Sequence, residues 1–208
     1  MSPNCKINIL DSNFKIEQSI LKALEDELKI SLNKAKPRIH SEIINLTISA
    51  LETCPEIQSL QNGKLRLDFG LDEDPTHELI YAIANSTYVY FKNIRLYKKS
   101  ASAVLSVYIQ PNDFRNLFSL QGSSIQTENG QIIPWLEWLL TAGDAVVVTE
   151  YHVDYGDYAT SRSGGAIMKP KGIFKVDSAF SGTQDNNFIT RALDNKKEEI
   201  LNIIRNSI

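Results

Sequence analysis

The stretch "EYHVDYGD" carries the residue types best suited to chemistry in this chain. On a strand, alternate side chains share a face, so Glu150, His152 and Asp154 form a carboxylate, imidazole, carboxylate row. Such a row can ligate a metal or move a proton, which would make the chain a small metal-dependent hydrolase. The interleaved Tyr151, Val153 and Tyr155 offer a plainer alternative, a strand whose polar face meets water. His40 lies mid-helix and His77 near a helix start, both positions where a histidine is usually structural. "SRSGG" at 161–165 could hold a phosphate on backbone amides, but it is equally a bare Ser-Gly turn. The chain lacks the local signatures of phosphate loops, dinucleotide folds, nucleophile elbows and zinc helices. We therefore expect no enzyme, and assign no catalytic residue, no cofactor and no metal.

Composition narrows the remaining classes. The 208 residues fit one domain with a real core, and 22 Lys and Arg against 25 Asp and Glu leave a net charge of -3. That balance removes wholesale wrapping of nucleic acid or coating of an anionic membrane. Local basic groups persist at Lys92, Arg95, Lys98 and Lys99 and at Lys169, Lys171 and Lys175. They either touch a polyanion, non-specifically, or serve as solvated strand edges that discourage aggregation. The start of the chain has no secretion signal, and no apolar run reaches the roughly 18 residues that span a bilayer, so we expect no membrane partner. Cys5 and Cys54 are too few for a disulfide framework or a four-cysteine zinc site.

The elements that position these residues follow from periodicity. Ile20, Leu24, Leu28, Leu32, Ala35, Ile39, Ile43, Leu46 and Ala50 paint one stripe along a helix that Pro37 should kink or restart and that Cys54-Pro55 ends. A helix from about 17 to 53 is roughly 55 Å long, more than a compact domain of this size needs. "GKLRLDFGL" alternates like a strand, and "DEDPTHELIYAIANS" reads as a capped helix. Two tyrosine-rich β segments follow, joined across Lys98 to Ser100, then a Pro-opened helical turn and a polar loop at 121–131. "DAVVVTEYHVDYG" is a strand, and "GGAIMKPKGIFKV" a hairpin turning at Pro170 and Gly172. Asp185 or Asn186 caps a single amphipathic closing helix. In "PWLEWLLTAGD", Pro134 opens a two-turn helix, Gly143 ends it, and Trp135, Trp138 and Leu139 belong to a core or a subunit interface. The expected fold is α+β: a long N-terminal helix, about 15–54, packed on a twisted, mainly antiparallel sheet, with short helices and a C-terminal helix in a mixed body, about 63–208, of a single domain.

In order and spacing, "PWLEWLLTAGDAVVV", "SRSGGAIM" and "FSGTQDNNFITRAL" resemble a block of tailed-bacteriophage virion structural proteins. A long helix ending near a proline and followed by "GKLRLDFGL" is similar to the "TG-x-L-R" transition of the neck and tail-completion type, with Asn62 where threonine is usual. The resemblance implies a non-enzymatic virion protein that joins or seals head and tail in an oligomeric ring, beside other neck or tail proteins and near packaged DNA. It would be made in the host cytoplasm; a baseplate or tail-peripheral role is the alternative. Trp135, Trp138, Leu139, Arg162, Phe188 and Arg191 are its interface or core candidates.

Overall fold

The computed structural model describes residues 10–208 except 93, 98, 99, 128 and 129, so the readings of Cys5, Lys98 and Lys99 lie outside the described residues. Ser12 opens the first helix by accepting from the Lys15 amide at 3.3 Å. Helix α1 then runs over Asn13–Glu52, about 60 Å at 1.5 Å per residue. It continues through Pro37, where a second helix could have begun. A proline inside a helix costs about 3 kcal/mol. Ile39 and Ile43, fully buried just beyond it, each return about 1.5–3 kcal/mol, which offsets that cost.

After Cys54 the chain reverses into α2 (Pro55–Asn62), with Pro55 in the first turn, where its missing N–H does no harm. The next segment corrects the sequence reading: "KLRLDF" is helix α3 (Lys64–Phe69), not a strand. Leu65, Asp68 and Phe69 are buried at helical spacing, and Gly70, at φ 64, closes the turn in the left-handed region. Helix α4 (Thr76–Asn85) buries Leu79, Ile80, Ile83 and Ala84 as expected, and Asp74 accepts from the Thr76 amide at 2.9 Å.

Strand β1 (Tyr88–Phe91) pairs antiparallel with β4 (Leu105–Tyr108), and between them β2 (Arg95–Tyr97) pairs with β3 (Ser100–Ser102). Helix α5 (Arg115–Phe118), the two-residue ladder of β5 (Ile125–Gln126) with β6 (Ile132–Ile133), and helix α6 (Trp135–Thr141) follow. The longest ladder joins β7 (Val148–Tyr155) to β8 (Ala166–Phe174). The architecture is α+β, its described strands divided among four antiparallel ladders. "GGAIMKPKGIFKV" does not form the expected hairpin. Ala166–Phe174 within it make one strand, β8, and what Pro170 and Gly172 mark is an irregularity opposite Thr149 and Tyr151, with Glu150 and Lys171 both at φ 70.

The closing helix is two helices, α7 (Phe188–Asp194) and α8 (Lys197–Ser207). Its cap is Asn187, not Asp185 or Asn186: the Asn187 side chain accepts from the Ile189 and Thr190 amides while the Thr190 hydroxyl accepts from the Asn187 amide. The two helices serve different cores. Phe188 and Ile189 enter the larger, which also holds Leu51, Phe69, Trp135, Leu139 and Phe174. Ile200, Ile203 and Ile204 cover the smaller, formed by Ala35, Ile39, Ile43 and Val89. Among the described residues no helix is long and apolar enough to cross a membrane.

Candidate functional site

The tryptophan helix is the hub around which "PWLEWLLTAGDAVVV", "SRSGGAIM" and "FSGTQDNNFITRAL" meet. Trp135 is fully buried, its ring 5.7 Å from that of Phe69, and its indole N–H donates to the Gly122 carbonyl at 2.8 Å. A buried indole needs that partner, which fixes the ring's orientation. Leu139 and Phe188 are also fully buried, so these three candidates are core. Trp138 is only partly covered; it packs on Phe174, with centroids 6.3 Å apart, and shows its other side to a cleft of about 390 Å³.

That cleft brings the second motif alongside: Ser161 and Arg162 line it with Leu67, Phe69 and Met168. The Ser161 hydroxyl donates to the Ala166 carbonyl at 2.6 Å and accepts from the Ala166 amide at 3.2 Å, so it closes its own turn. Arg162 is exposed and donates to the Gln126 carbonyl at 3.1 Å. It stands between this cleft and a second one carrying Asp72, Glu73, Asp74 and Glu78.

The third motif locks against the end of α6. The Gly143 amide donates to the Gly182 carbonyl at 2.8 Å. Gly182 fits so tightly that a Cβ there would lie 2.7 Å from the Leu139 carbonyl oxygen and 2.8 Å from the Asn187 Cβ. Arg191 then clasps this segment to α2. Its guanidinium donates to Glu56 Oε1 at 2.6 and 3.2 Å and to the carbonyls of Phe180, Ser181 and Asn186 at 3.1–3.4 Å. Glu56 is 4% exposed, so removing Arg191 would leave a buried carboxylate without its ion-pair partner. Arg191 is thus an internal brace. The sequence held the arginine in plain view but gave no sign that its partner lies 135 positions away.

The row that could have been catalytic is dispersed. Glu150 is exposed and sits within the strand irregularity itself, at φ 70, which breaks the alternation that would place it on one face with His152. Asp154 is taken up by Lys169 and by the Tyr158 hydroxyl at 2.5 Å, and these hydrogen bonds hold its carboxyl below the ordinary aspartate range. His152 Nδ1 is buried, with no hydrogen-bond partner among the described residues, pressed beside Gly172. Among the described residues no three His, Cys, Asp or Glu side chains gather as a metal would need. His40 Nε2 lies 3.0 Å from the Thr87 carbonyl oxygen, and His77 packs on Tyr81 with centroids 4.6 Å apart, both in structural roles.

One polar network escaped the sequence reading. Buried Asp68 accepts from the Tyr155 hydroxyl and lies 3.4 Å from the Lys64 ammonium, which also binds Asp177 at 2.7 Å. Burial, then the Asp68 carboxylate, pushes the Tyr155 hydroxyl up to about 12. Burial works against the Lys64 charge, but Asp177 and Asp68 hold it above the ordinary lysine range. Lys64 and Asp68 are four apart, neighbours on a helix and not on a strand, so reading α3 as β concealed the pair. Cys54 is buried, and burial raises its thiol to about 11, consistent with a small apolar role. No family model, no curated protein and no solved structure matches this chain.

Proposed function

We propose that the chain is a non-enzymatic structural component of a tailed-bacteriophage virion, of the neck or tail-completion type, which joins or seals head and tail as one subunit of an oligomeric ring. The observation that carries this reading is the unequal covering of α1. Leu32, Ala35, Ile39, Ile43 and Ala50 of its apolar stripe are buried by the body, whereas towards the start, beside buried Leu21, Phe14, Ile20, Leu24 and Ile30 are 71, 62, 48 and 47% exposed. A helix that carries large apolar side chains beyond its own core supplies a surface for a neighbouring subunit. The three sequence motifs behind the virion resemblance also converge on α6, which makes them one structural unit.

Light scattering on the full-length chain, alone and mixed with candidate neck and tail proteins, tests the reading. We expect rings, or incorporation into a partner's ring, with about 1,000 Å² or more buried per contact. A chain that stays monomeric in every mixture overturns it. Imaging of intact particles adds position: density for the chain at the head-to-tail vertex is expected, and its absence from particles counts against the proposal.

A further inference from the structure

The hairpin from Tyr88 to Tyr108 differs in charge from the rest of the chain. From Leu79 to Asn112 there is no Asp or Glu, yet Lys92, Arg95, Lys98 and Lys99 all fall there, within a protein of net charge -3. Pairing of Tyr88 with Tyr108 and of Val89 with Val107 gives β1 and β4 two dissimilar faces. Val89, Phe91, Leu105 and Val107 turn inward onto the Ile39–Ile43 core. The alternate positions turn outward and present Tyr88, Tyr90 and Tyr108.

These three rings form a continuous surface. Tyr88 and Tyr90 have centroids 5.9 Å apart, Tyr90 and Tyr108 5.8 Å, and the planes of the second pair differ by only 8°. Tyr88 and Tyr108 are 57 and 55% exposed. Cations border the rings. The Lys36 ammonium sits over Tyr88 at 5.4 Å from its centroid, Lys92 comes just after the end of β1, two positions on from Tyr90, and Arg95 opens β2. None of the ion pairs among the described residues involves Lys36, Lys92 or Arg95.

We infer that this face binds single-stranded nucleic acid, with the tyrosine rings stacking on bases and Lys36, Lys92 and Arg95 meeting phosphates. Exposed aromatic rings beside cations that make no ion pair among the described residues are the two elements of sequence-tolerant single-strand binding. An acidic protein surface would use the cations but leave the ring faces idle. A duplex keeps its bases stacked on each other and would do the same. The inference stands apart from the head-to-tail reading, since a chain that never forms a ring still carries this face.

Fluorescence anisotropy with a labelled oligothymidylate tests it, set against a duplex of equal length and against polyglutamate as competitor. The single strand should bind most tightly, and with three phosphates neutralised its binding constant should fall with a slope of about -2 against salt on logarithmic axes. Tyr90→Ala with Tyr108→Ala should weaken binding about tenfold or more, while Tyr90→Phe with Tyr108→Phe, which keeps the rings, should bind like the parent. If the alanine pair melts early, Tyr108→Thr alone, at an exposed strand position, serves in its place with a loss of about fivefold. No binding at low salt overturns the inference. So does equal binding of the duplex, displacement by polyglutamate, or alanine or threonine variants that bind unchanged.

Discussion

Arg191 and Glu56 meet across 135 positions of sequence, guanidinium to carboxylate at 2.6 Å, and so tie α7 to the first turn of α2. The same guanidinium collects backbone carbonyls from 180, 181 and 186, so one side chain fixes the entire approach to the closing helices. Removing one member of a buried pair strands the other, at about 3–5 kcal/mol. With Arg191 35% exposed, Arg191→Ala should sit near the lower end, about 3 kcal/mol, in urea unfolding. Arg191→Lys keeps the charge but not the fork of donors and should recover less than half of that loss. A change below about 0.5 kcal/mol in the alanine variant would mean the clasp is ornamental.

The two tryptophans should separate. Trp135→Ala removes a fully buried ring and should cost about 3–5 kcal/mol. Trp138→Ala, at the cleft wall, should cost less and spare the melting temperature more. Calorimetry on both decides: variants that melt like the parent but fail to assemble would put the pair in an interface instead.

Gly182 admits no side chain. Gly182→Ala places a carbon within 3 Å of the Leu139 carbonyl and of Asn187, so the cap of α7 or the end of α6 must move. Overpacking of this kind costs about 1–3 kcal/mol. Thermal melts of G182A beside G164A, where a Cβ meets nothing within 4 Å and only the left-handed φ of 81 opposes a side chain, should show the larger drop at 182. Equal drops would count against the tight approach.

Alkaline stability should bear the mark of Tyr155. Its hydroxyl ionises near the ordinary 10.0 when unfolded and near about 12 when folded, so the folded form retains the proton longer. The resulting stability is complete below pH 10 and is lost as pH rises from about 10 to 12. Lys64, also raised, loses its contribution in the same direction. Melting temperatures measured across that window should fall less steeply in Tyr155→Phe than in the parent; parallel curves would refute the assignment.

What could be read in advance was whatever carried its own punctuation. Pro134 and Gly143 bracket α6 in the sequence as they do in space, and the α1 stripe announced itself over nine apolar positions. Six residues of "KLRLDF" fit either period, and only the burial of Leu65, Asp68 and Phe69 against other elements chose the helix. Pro170 and Gly172 gave a turn signal that the long β7–β8 ladder overrode by absorbing them as an irregularity. Between Leu193 and Ile200 the chain has no apolar residue, and that gap is where the closing helix divides to reach two cores. The hydrolase row failed for a related reason: alternation cannot foresee where a strand will break step.

The smaller core has a consequence for synthesis. Ile39 and Ile43 leave the ribosome well before the Ile200, Ile203 and Ile204 that cover them, which follow about 160 positions later. At about 5–20 residues per second that stripe waits on the order of ten to thirty seconds for its cover. Until those residues emerge, the nascent helix is an unfinished amphipathic rod, a ready client for a chaperone and the stage at which premature association with sister chains is the main hazard.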